Sequence, residues 1–217
     1  VGQQLRQEFM LDVDEGHILP LQPRPLNEIA DWICDFLQQN AIPVYSEQTH
    51  TGLVRHIFLR QGWHTGQILV CLVINGRSLP HAQEFCESLT ARLPAVRPVV
   101  LNVNRQKTNV ITGAECISLH GPGYIEDTLC GVPVQLGPLS FYQVNTPGAE
   151  LLYGVAKQFA ALGARNFLFE TLSSDAGLLD AVGAIKAEVP DAFVLVSFAV
   201  LPDGYTREGR HCAELVR

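Results

Sequence analysis

The spacing of apolar residues changes several times along the chain, and each change predicts a new element. A helix is expected over residues 27–39, with Asn27 as its N-cap, because its apolar positions recur every three or four residues. These positions are Ile29, Trp32, Ile33 and Phe36. Strands are predicted over residues 52–59 and 67–74, joined by a hairpin turn in the glycine-containing stretch 62–66. Residues 70–74 are all apolar, so we expect the second strand to be covered on both faces.

The alternation of strands and helices continues beyond this hairpin. A helix is predicted over residues 80–92 and a strand over 96–103, followed by short antiparallel strands between 109 and 142, where glycines recur. A further helix should begin near Pro147 and end at Gly163. This order predicts an α+β fold, in which helices pack on a mixed sheet.

The last part of the chain has the pattern of a βαβ unit. It consists of a strand at 167–169, a helix capped by Ser173 or Ser174 and ending near Glu188, and a strand at 192–200. Another helix is expected from about Arg207. We therefore predict two domains, residues 1–160 and 161–217. A βαβ tail of this size buries too little surface to be stable alone, so it should pack on the first domain or on a partner, for example in a homo-oligomer.

The composition is that of an ordinary globular protein. Apolar residues make up 47% and charged residues 17%, with a net charge of -7. An acidic balance argues against tight autonomous binding of nucleic acid, which relies on cationic side chains. A local basic patch could still form from the cationic residues in the middle of the chain. These are Arg55, Arg60, Arg97, Arg105 and Lys107.

Cysteine usage and hydropathy indicate the compartment. The six cysteines form no Cys-x-x-Cys pair, and we predict that they are reduced, in a cytoplasmic protein. No apolar run reaches the ~18 residues that span a membrane, so a soluble protein without a membrane partner is expected. The chain begins at Val1 and not at Met, as a fragment would.

Several short motifs follow one another in a fixed order through the first 160 residues. They are residues 52–60 (GLVRHIFLR), 101–104 (LNVN), 108–113 (TNVITG), 119–121 (LHG), 125–127 (IED), 140–145 (SFYQVN) and 149–153 (AELLY). Together they resemble the RNA 5-methyluridine methyltransferase family, which transfers a methyl group from S-adenosylmethionine to C5 of uridine in ribosomal or transfer RNA. The resemblance implies a central domain of such an enzyme, with RNA as the partner of the parent family.

Two site residues follow from this resemblance. Gln143 is implied to bind S-adenosylmethionine, and an amide can pair with the cofactor's polar groups. Phe141 is implied to contact the target base, as an aromatic face can receive an extruded uracil. The alternative is that Phe141 and Tyr142 lie in the core of a sheet and Gln143 is a surface amide.

The chain also departs from the family. Its thiolate that attacks C6 and its glycine-containing cofactor loop have no counterpart here, since residues 170–174 read ETLSS after the strand. No cysteine precedes Cys34, so no iron–sulfur cluster is predicted, nor any other metal site. We expect a fragment that is inactive alone, with weak or absent RNA binding.

The tail, about residues 155–217, resembles part of the homocysteine S-methyltransferase family instead. The motifs are residues 167–172 (FLFETL), 194–198 (VLVSF) and the Gly204 to Gly209 stretch after Asp203. Glu170 is implied to bind homocysteine at the end of a barrel strand; alternatively, it caps the next helix. Two other functions therefore remain: a homocysteine S-methyltransferase fragment, and a recombined or engineered scaffold without activity.

Overall fold

The computed structural model describes residues 24–107, 110–171, 183 and 185–198, without side chains at 169–171 and 196–198. The chain divides into two compact units, Val1–Thr146 and Pro147–Arg217. Several predictions lie outside the described residues: the cap at Ser173 or Ser174, the last helix from Arg207, and the reduced state of the sixth cysteine, Cys212. The domain boundary predicted between residues 160 and 161 stays a prediction.

The first unit is built on a four-stranded mixed sheet in the order β1-β2-β3-β4. Its strands are β1 (Val54–Gln61), β2 (Ile68–Ile74), β3 (Val96–Val103) and β4 (Glu115–His120). β2 is antiparallel to β1 and parallel to β3, and β4 is antiparallel to β3. The helices are α1 (Arg24–Gln39) and α2 (Ala82–Arg92), and α2 makes the crossover between the parallel pair. The predicted α+β class and its mixed sheet are confirmed.

Strand β2 is buried along its whole length, as its unbroken apolar run predicts. Val70, Leu72 and Ile74 belong to the cluster that the apolar faces of α1 and α2 complete. Leu69 and Cys71 belong to a second cluster, with Ile125 and Leu136. Because side chains alternate along a strand, β2 has the helices on one face and a further hairpin on the other.

That hairpin consists of β5 (Ile125–Leu129) and β6 (Val132–Leu136). Leu129 pairs with Val132, so Cys130 and Gly131 alone form the turn. Their φ angles are 53° and 81°, which is the combination that a two-residue hairpin turn of the primed type requires. The antiparallel strands predicted between residues 109 and 142 are therefore present.

The N-cap predicted for the first helix is wrong. α1 includes Arg24, so Asn27 lies inside the helix and not at its start. The apolar spacing was informative about the helix but not about its first residue, because the prolines at positions 23 and 25 are tolerated before and within a first turn.

The second unit begins one residue into α3 (Thr146–Ala161) and also contains β7 (Asn166–Thr171) and β8 (Phe193–Phe198). β7 and β8 are parallel, as a βαβ unit requires, and residues 185–188 are helical between them. Gly163, with φ of 104°, follows α3 as predicted. Arg165 forms an ion pair of 2.8 Å with Asp191, which leads into β8.

The apolar side of α3 is exposed in this structure. Large side chains on it retain 40–84% of their accessible surface. They are Leu151, Leu152, Val155 and Phe159, together with Leu162 directly after the helix. Among the described helices, none combines the length and the apolar character of a membrane span.

Candidate cofactor and base contact loop

Residues 137–145 form a loop between β6 and α3 that contains both Phe141 and Gln143; we call it the contact loop. Arg60, on β1, donates hydrogen bonds to the carbonyl oxygens of Gly137 at 2.8 Å and Ser140 at 2.7 Å. The Ser140 hydroxyl accepts a 3.0 Å hydrogen bond from the Gly137 N–H. The guanidinium fork therefore fixes the backbone at the start of the loop.

Tyr142 fixes the middle of the contact loop. Its hydroxyl donates to Asp127 Oδ2 at 3.0 Å, and its ring packs against the cluster beneath the β5–β6 hairpin. The carboxylate of Asp127 also accepts the backbone N–H groups of Trp63, His64 and Thr65 at 2.8–3.2 Å. One buried side chain thus ties the contact loop to the turn between β1 and β2.

The protonation of Asp127 follows from these contacts. Burial alone would raise the pKa of this carboxyl, but the three backbone N–H groups and the Tyr142 hydroxyl outweigh it and hold the pKa below its usual range. Asp127 is therefore ionised at neutral pH. This residue belongs to the 125–127 motif, yet the sequence alone gave it no role, since only the folded chain brings its partners together.

The structure places the Phe141 side chain in solvent. It is 85% exposed and lies outside any strand, so the alternative that Phe141 is part of a sheet core is wrong. The next residue, Tyr142, is half-buried and supplies the anchor described above. An exposed phenylalanine on a fixed backbone offers a free aromatic face to a base.

Gln143 is half-buried. Its carbonyl oxygen accepts a 3.2 Å hydrogen bond from the hydroxyl of Thr146, so its backbone is held at the start of α3. Among the described residues, its side-chain amide has no hydrogen-bond partner, and an amide can both donate to and accept from a ligand. The cofactor role of Gln143 stays a prediction, and a single amide does not by itself enclose S-adenosylmethionine.

Glu170 lies in the second unit. It pairs with Ser197 in the parallel register of β7 and β8, which places its backbone near the carboxyl end of β7. Its side chain lies outside the described residues, so its two predicted roles, ligand binding and helix capping, stay predictions. In the described part of the chain, no group of His, Cys, Asp and Glu residues could hold a metal ion.

The predicted basic patch does not form as proposed, because two of its members are used internally. Arg55 is 3% exposed and donates to the carbonyl oxygens of Asn104 and Gln106 and to Glu47. Arg60 holds the contact loop. Arg97, Arg105 and Lys107 remain exposed.

The LNVN motif at the end of β3 has a structural role that the sequence did not show. Asn102 accepts from the Gly113 N–H at 2.7 Å and donates to the Gly113 carbonyl at 2.8 Å. Asn104 donates to the carbonyl oxygens of Val110 and Ile111. The two buried amides thus replace ladder hydrogen bonds and hold the segment that enters β4.

Comparison with known proteins gives relatives for most of the chain, although no family model matches it. A protein of Caldanaerobacter subterraneus named as an uncharacterized RNA methyltransferase is 31% identical over 170 residues, which is 77% of this chain and 36% of the relative. A protein of the same description from Halalkalibacterium halodurans is 35% identical over 159 residues, 73% of this chain and 34% of the relative. The chain spans about a third of the length of these curated relatives.

A solved structure supports the fold. The tRNA (uracil-54, C5)-methyltransferase of Pyrococcus abyssi, solved with S-adenosyl-L-homocysteine, matches 88% of this chain and 50% of its own, with a TM-score of 0.55 and 17% identity. The resemblance of the tail to homocysteine S-methyltransferases gains no support from these proteins. Over about three quarters of its length, the chain is a homologue of bacterial proteins named RNA methyltransferases.

Proposed function

We propose that this chain is part of an S-adenosylmethionine-dependent RNA methyltransferase that acts on C5 of uridine. The supporting observation is the contact loop, in which Arg60 and Tyr142 fix the backbone while Phe141 projects into solvent. An aromatic ring that is exposed on a fixed backbone can stack on an extruded base. The names of the homologues favour RNA as that ligand.

Within this proposal, Phe141 contacts the target uracil after it leaves its stack. Extrusion of a base requires a surface that replaces the lost stacking, and an exposed phenylalanine provides one. Gln143 follows two residues later, and its amide binds a polar group of the cofactor. The loop would thus bring the methyl donor and its acceptor to the same place.

The chain by itself is proposed to bind but not to catalyse. C5 methylation requires a thiolate that adds to C6 of the ring and a base that removes the C5 proton. The family resemblance supplies neither group within these residues, nor the glycine-containing cofactor loop. Which RNA is modified, ribosomal or transfer, and the cytoplasmic location stay predictions.

Binding measurements on the full chain test the proposal. A fluorescently labelled hairpin RNA with uridine in its loop is titrated with wild type, Phe141→Ala and, as a matched control from the same loop, Leu139→Ala, which is 50% exposed in the parent. We expect weak RNA binding that Phe141→Ala reduces roughly tenfold, by loss of one stacked base, and that Leu139→Ala leaves unchanged. Equal binding by all three proteins would contradict the role of Phe141.

The cofactor role is tested separately by calorimetry with S-adenosylmethionine. Gln143→Ala should abolish the weak binding expected of wild type, whereas Gln135→Ala, a surface glutamine on β6, should not. Titration with homocysteine covers the alternative for the tail: binding that depends on Glu170 would favour a homocysteine S-methyltransferase fragment. If no ligand binds, the result favours the remaining alternative, a recombined or engineered scaffold without activity.

A further inference from the structure

Trp63 is an exposed aromatic residue that the proposed function does not use. It lies in the turn between β1 and β2, and 60% of its surface is accessible. Tryptophan is one of the largest apolar side chains, and folding normally removes most of it from water. Its exposure at the tip of a hairpin leaves a large aromatic surface available to a ligand.

The turn that carries Trp63 is rigidly held. Asp127 binds its three successive N–H groups, and the Thr65 hydroxyl donates to the Glu126 carbonyl at 2.7 Å. A Cβ added at Gly62 would lie 2.6 Å from the Thr65 hydroxyl and 3.1 Å from Asp127, so the turn is closely packed beneath its tip. Trp63 is thus exposed but its backbone is fixed, which lowers the entropy lost on binding.

The same carboxylate connects this turn to the contact loop. Asp127 Oδ2 accepts both the Trp63 N–H at 2.8 Å and the Tyr142 hydroxyl at 3.0 Å. Since Phe141 precedes Tyr142, the two exposed rings are carried by segments that share one anchor. The backbone positions of the two segments are therefore coupled through Asp127.

A groove begins beside the turn. Its volume is about 620 Å³, and its lining includes Gln67, Arg97, Tyr124 and Glu126. Gln67 accepts a 3.0 Å hydrogen bond from the Glu126 N–H, which places this end of the groove against the hairpin that holds Trp63. Arg97 is exposed and can bind phosphate, while Tyr124 adds an aromatic surface. Among the described residues, Glu126 is the one carboxylate that lines the groove.

We propose that Trp63 stacks on an unpaired base of the same single-stranded RNA that Phe141 contacts, and that Arg97 binds a phosphate of that strand. This inference rests on the proposed function. Rigid aromatic rings beside a cation match the bases and backbone of a single strand, in which every base offers a π-face. The acidic net charge of the chain makes stacking, and not bulk electrostatics, the main source of affinity.

Tryptophan fluorescence gives a direct readout. The chain has two tryptophans, so in the variant Trp32→Phe, Trp63 is the only one. Titration of this variant with a uridine-rich single-stranded RNA of about ten nucleotides should quench the emission, because the base stacks on the indole. A duplex of the same sequence, whose bases are already stacked, should quench much less.

Affinity is measured in parallel by anisotropy of the labelled RNA. Trp63→Ala should weaken binding roughly 5- to 100-fold, the range for loss of one stacked base, whereas Trp63→Phe should retain most of it. Arg97→Gln should weaken binding. It should also reduce the slope of the logarithm of the binding constant against the logarithm of salt concentration by about the amount expected for one phosphate contact. Val132→Ala removes another exposed apolar side chain, 61% accessible at the opposite end of the β5–β6 hairpin, and should have no effect.

The outcomes separate the two proposals. If Phe141→Ala weakens RNA binding while Trp63→Ala binds as wild type and RNA leaves Trp63 emission unchanged, the inference on Trp63 is wrong and the proposed function stands. If wild type binds neither single-stranded RNA nor the hairpin, both fail. Quenching by the duplex as strong as by the single strand, or a Trp63-dependent protein complex without RNA binding, would also overturn the assignment.

Discussion

The hydroxyl of Tyr142 donates a 3.0 Å hydrogen bond to the buried carboxylate of Asp127. The carboxylate lies on β5 and the tyrosine in the contact loop, and the same carboxylate accepts three N–H groups from the turn between β1 and β2. The arrangement joins three segments that are far apart in sequence. It means that the position of Phe141 depends on a residue that does not touch any proposed ligand.

Asp127→Asn should therefore destabilise the first unit and loosen the contact loop together. The amide presents an N–H₂ group where the carboxylate accepted hydrogen bonds, which leaves backbone donors without acceptors and removes a charge-assisted contact. We expect a loss of about 2–3 kcal/mol in the free energy of unfolding. Urea denaturation followed by tryptophan fluorescence measures it, since Trp32 and Trp63 both lie in the first unit.

The neighbouring exposed carboxylate provides the control for Asp127→Asn. Glu126→Gln removes the same charge from the surface and should change stability by no more than about 0.5 kcal/mol. Tyr142→Phe should fall between the two, at about 1 kcal/mol, because it keeps the ring but removes the hydroxyl, with its hydrogen bond to Asp127 and its longer contact with the Thr128 carbonyl oxygen. Equal stability of Asp127→Asn and Glu126→Gln would show that the buried hydrogen bonds contribute nothing.

Acid should remove the contribution of Asp127. Its pKa in the folded chain is lower than the value of about 3.9 expected when unfolded, so the unfolded state binds the proton more readily. The stabilisation is thus fully present above about pH 4 and is lost as pH falls through the lower, folded pKa. The difference in unfolding free energy between wild type and Asp127→Asn should be constant from pH 8 to pH 5 and shrink below pH 4; a constant difference down to pH 2 would contradict the assignment.

Gly113→Ala should disrupt the entry into β4. An added Cβ would lie 1.8 Å from the Val103 carbonyl oxygen, at the place where Asn102 holds both backbone groups of Gly113. The backbone has to move, and the buried amide then loses its two hydrogen bonds to Gly113. We expect a loss of about 3 kcal/mol or more, measured by the same denaturation assay.

Gly123→Ala is the matched comparison. Nothing lies within 4 Å of a Cβ at this position, although its φ is +86°. The penalty should be that of a left-handed backbone alone, about 1–2 kcal/mol. If the two variants were equally stable, the clash at Gly113 would be relieved by a shift that leaves the amide contacts intact.

Much of the fold could be predicted from local sequence. The buried run of β2 and the spacing of α1 report their own environments directly, because burial of one or both faces leaves a periodic trace. The start of α1 could not be placed from Asn27, since several residues before it also accept helical geometry. Periodicity also failed to show that the apolar side of α3 is exposed, as it records which face is apolar and not what covers it.

The site was less accessible to such reasoning. Phe141 and Gln143 were found only through a family resemblance, and Arg55 and Arg60 were assigned to a basic patch because their side chains are cationic. In the folded chain these arginines donate to carbonyl oxygens on distant segments. Such long-range pairings leave no periodic signal, and for the same reason the sequence could not reveal the role of Asp127.

Cysteine reactivity tests the packing of the β5–β6 hairpin on the sheet. Cys71 lies in the cluster beneath this hairpin. Burial is the main cause that raises the pKa of its thiol to about 12, and the nearby Cys116 is the second; a hydrogen bond from Asn102 acts in the opposite direction. Cys116 and Cys130 are exposed, whereas Cys34, Cys71 and Cys86 are buried. In a Cys212→Ser background, a thiol reagent at pH 8 should therefore label Cys116 and Cys130 rapidly and the buried three only after unfolding.

Site-specific loss of the fast phase in Cys116→Ser and Cys130→Ser would confirm the assignment. Rapid labelling of Cys71 in the native protein would have a different meaning. Because Leu69, Cys71, Ile125 and Leu136 are packed together, the reagent can reach Cys71 only if β5 and β6 leave the sheet, and Asp127 would leave with them. The rate of Cys71 labelling thus measures how often the anchor of the contact loop is released. Asp127→Asn should increase that rate by the factor that corresponds to its loss in free energy of unfolding.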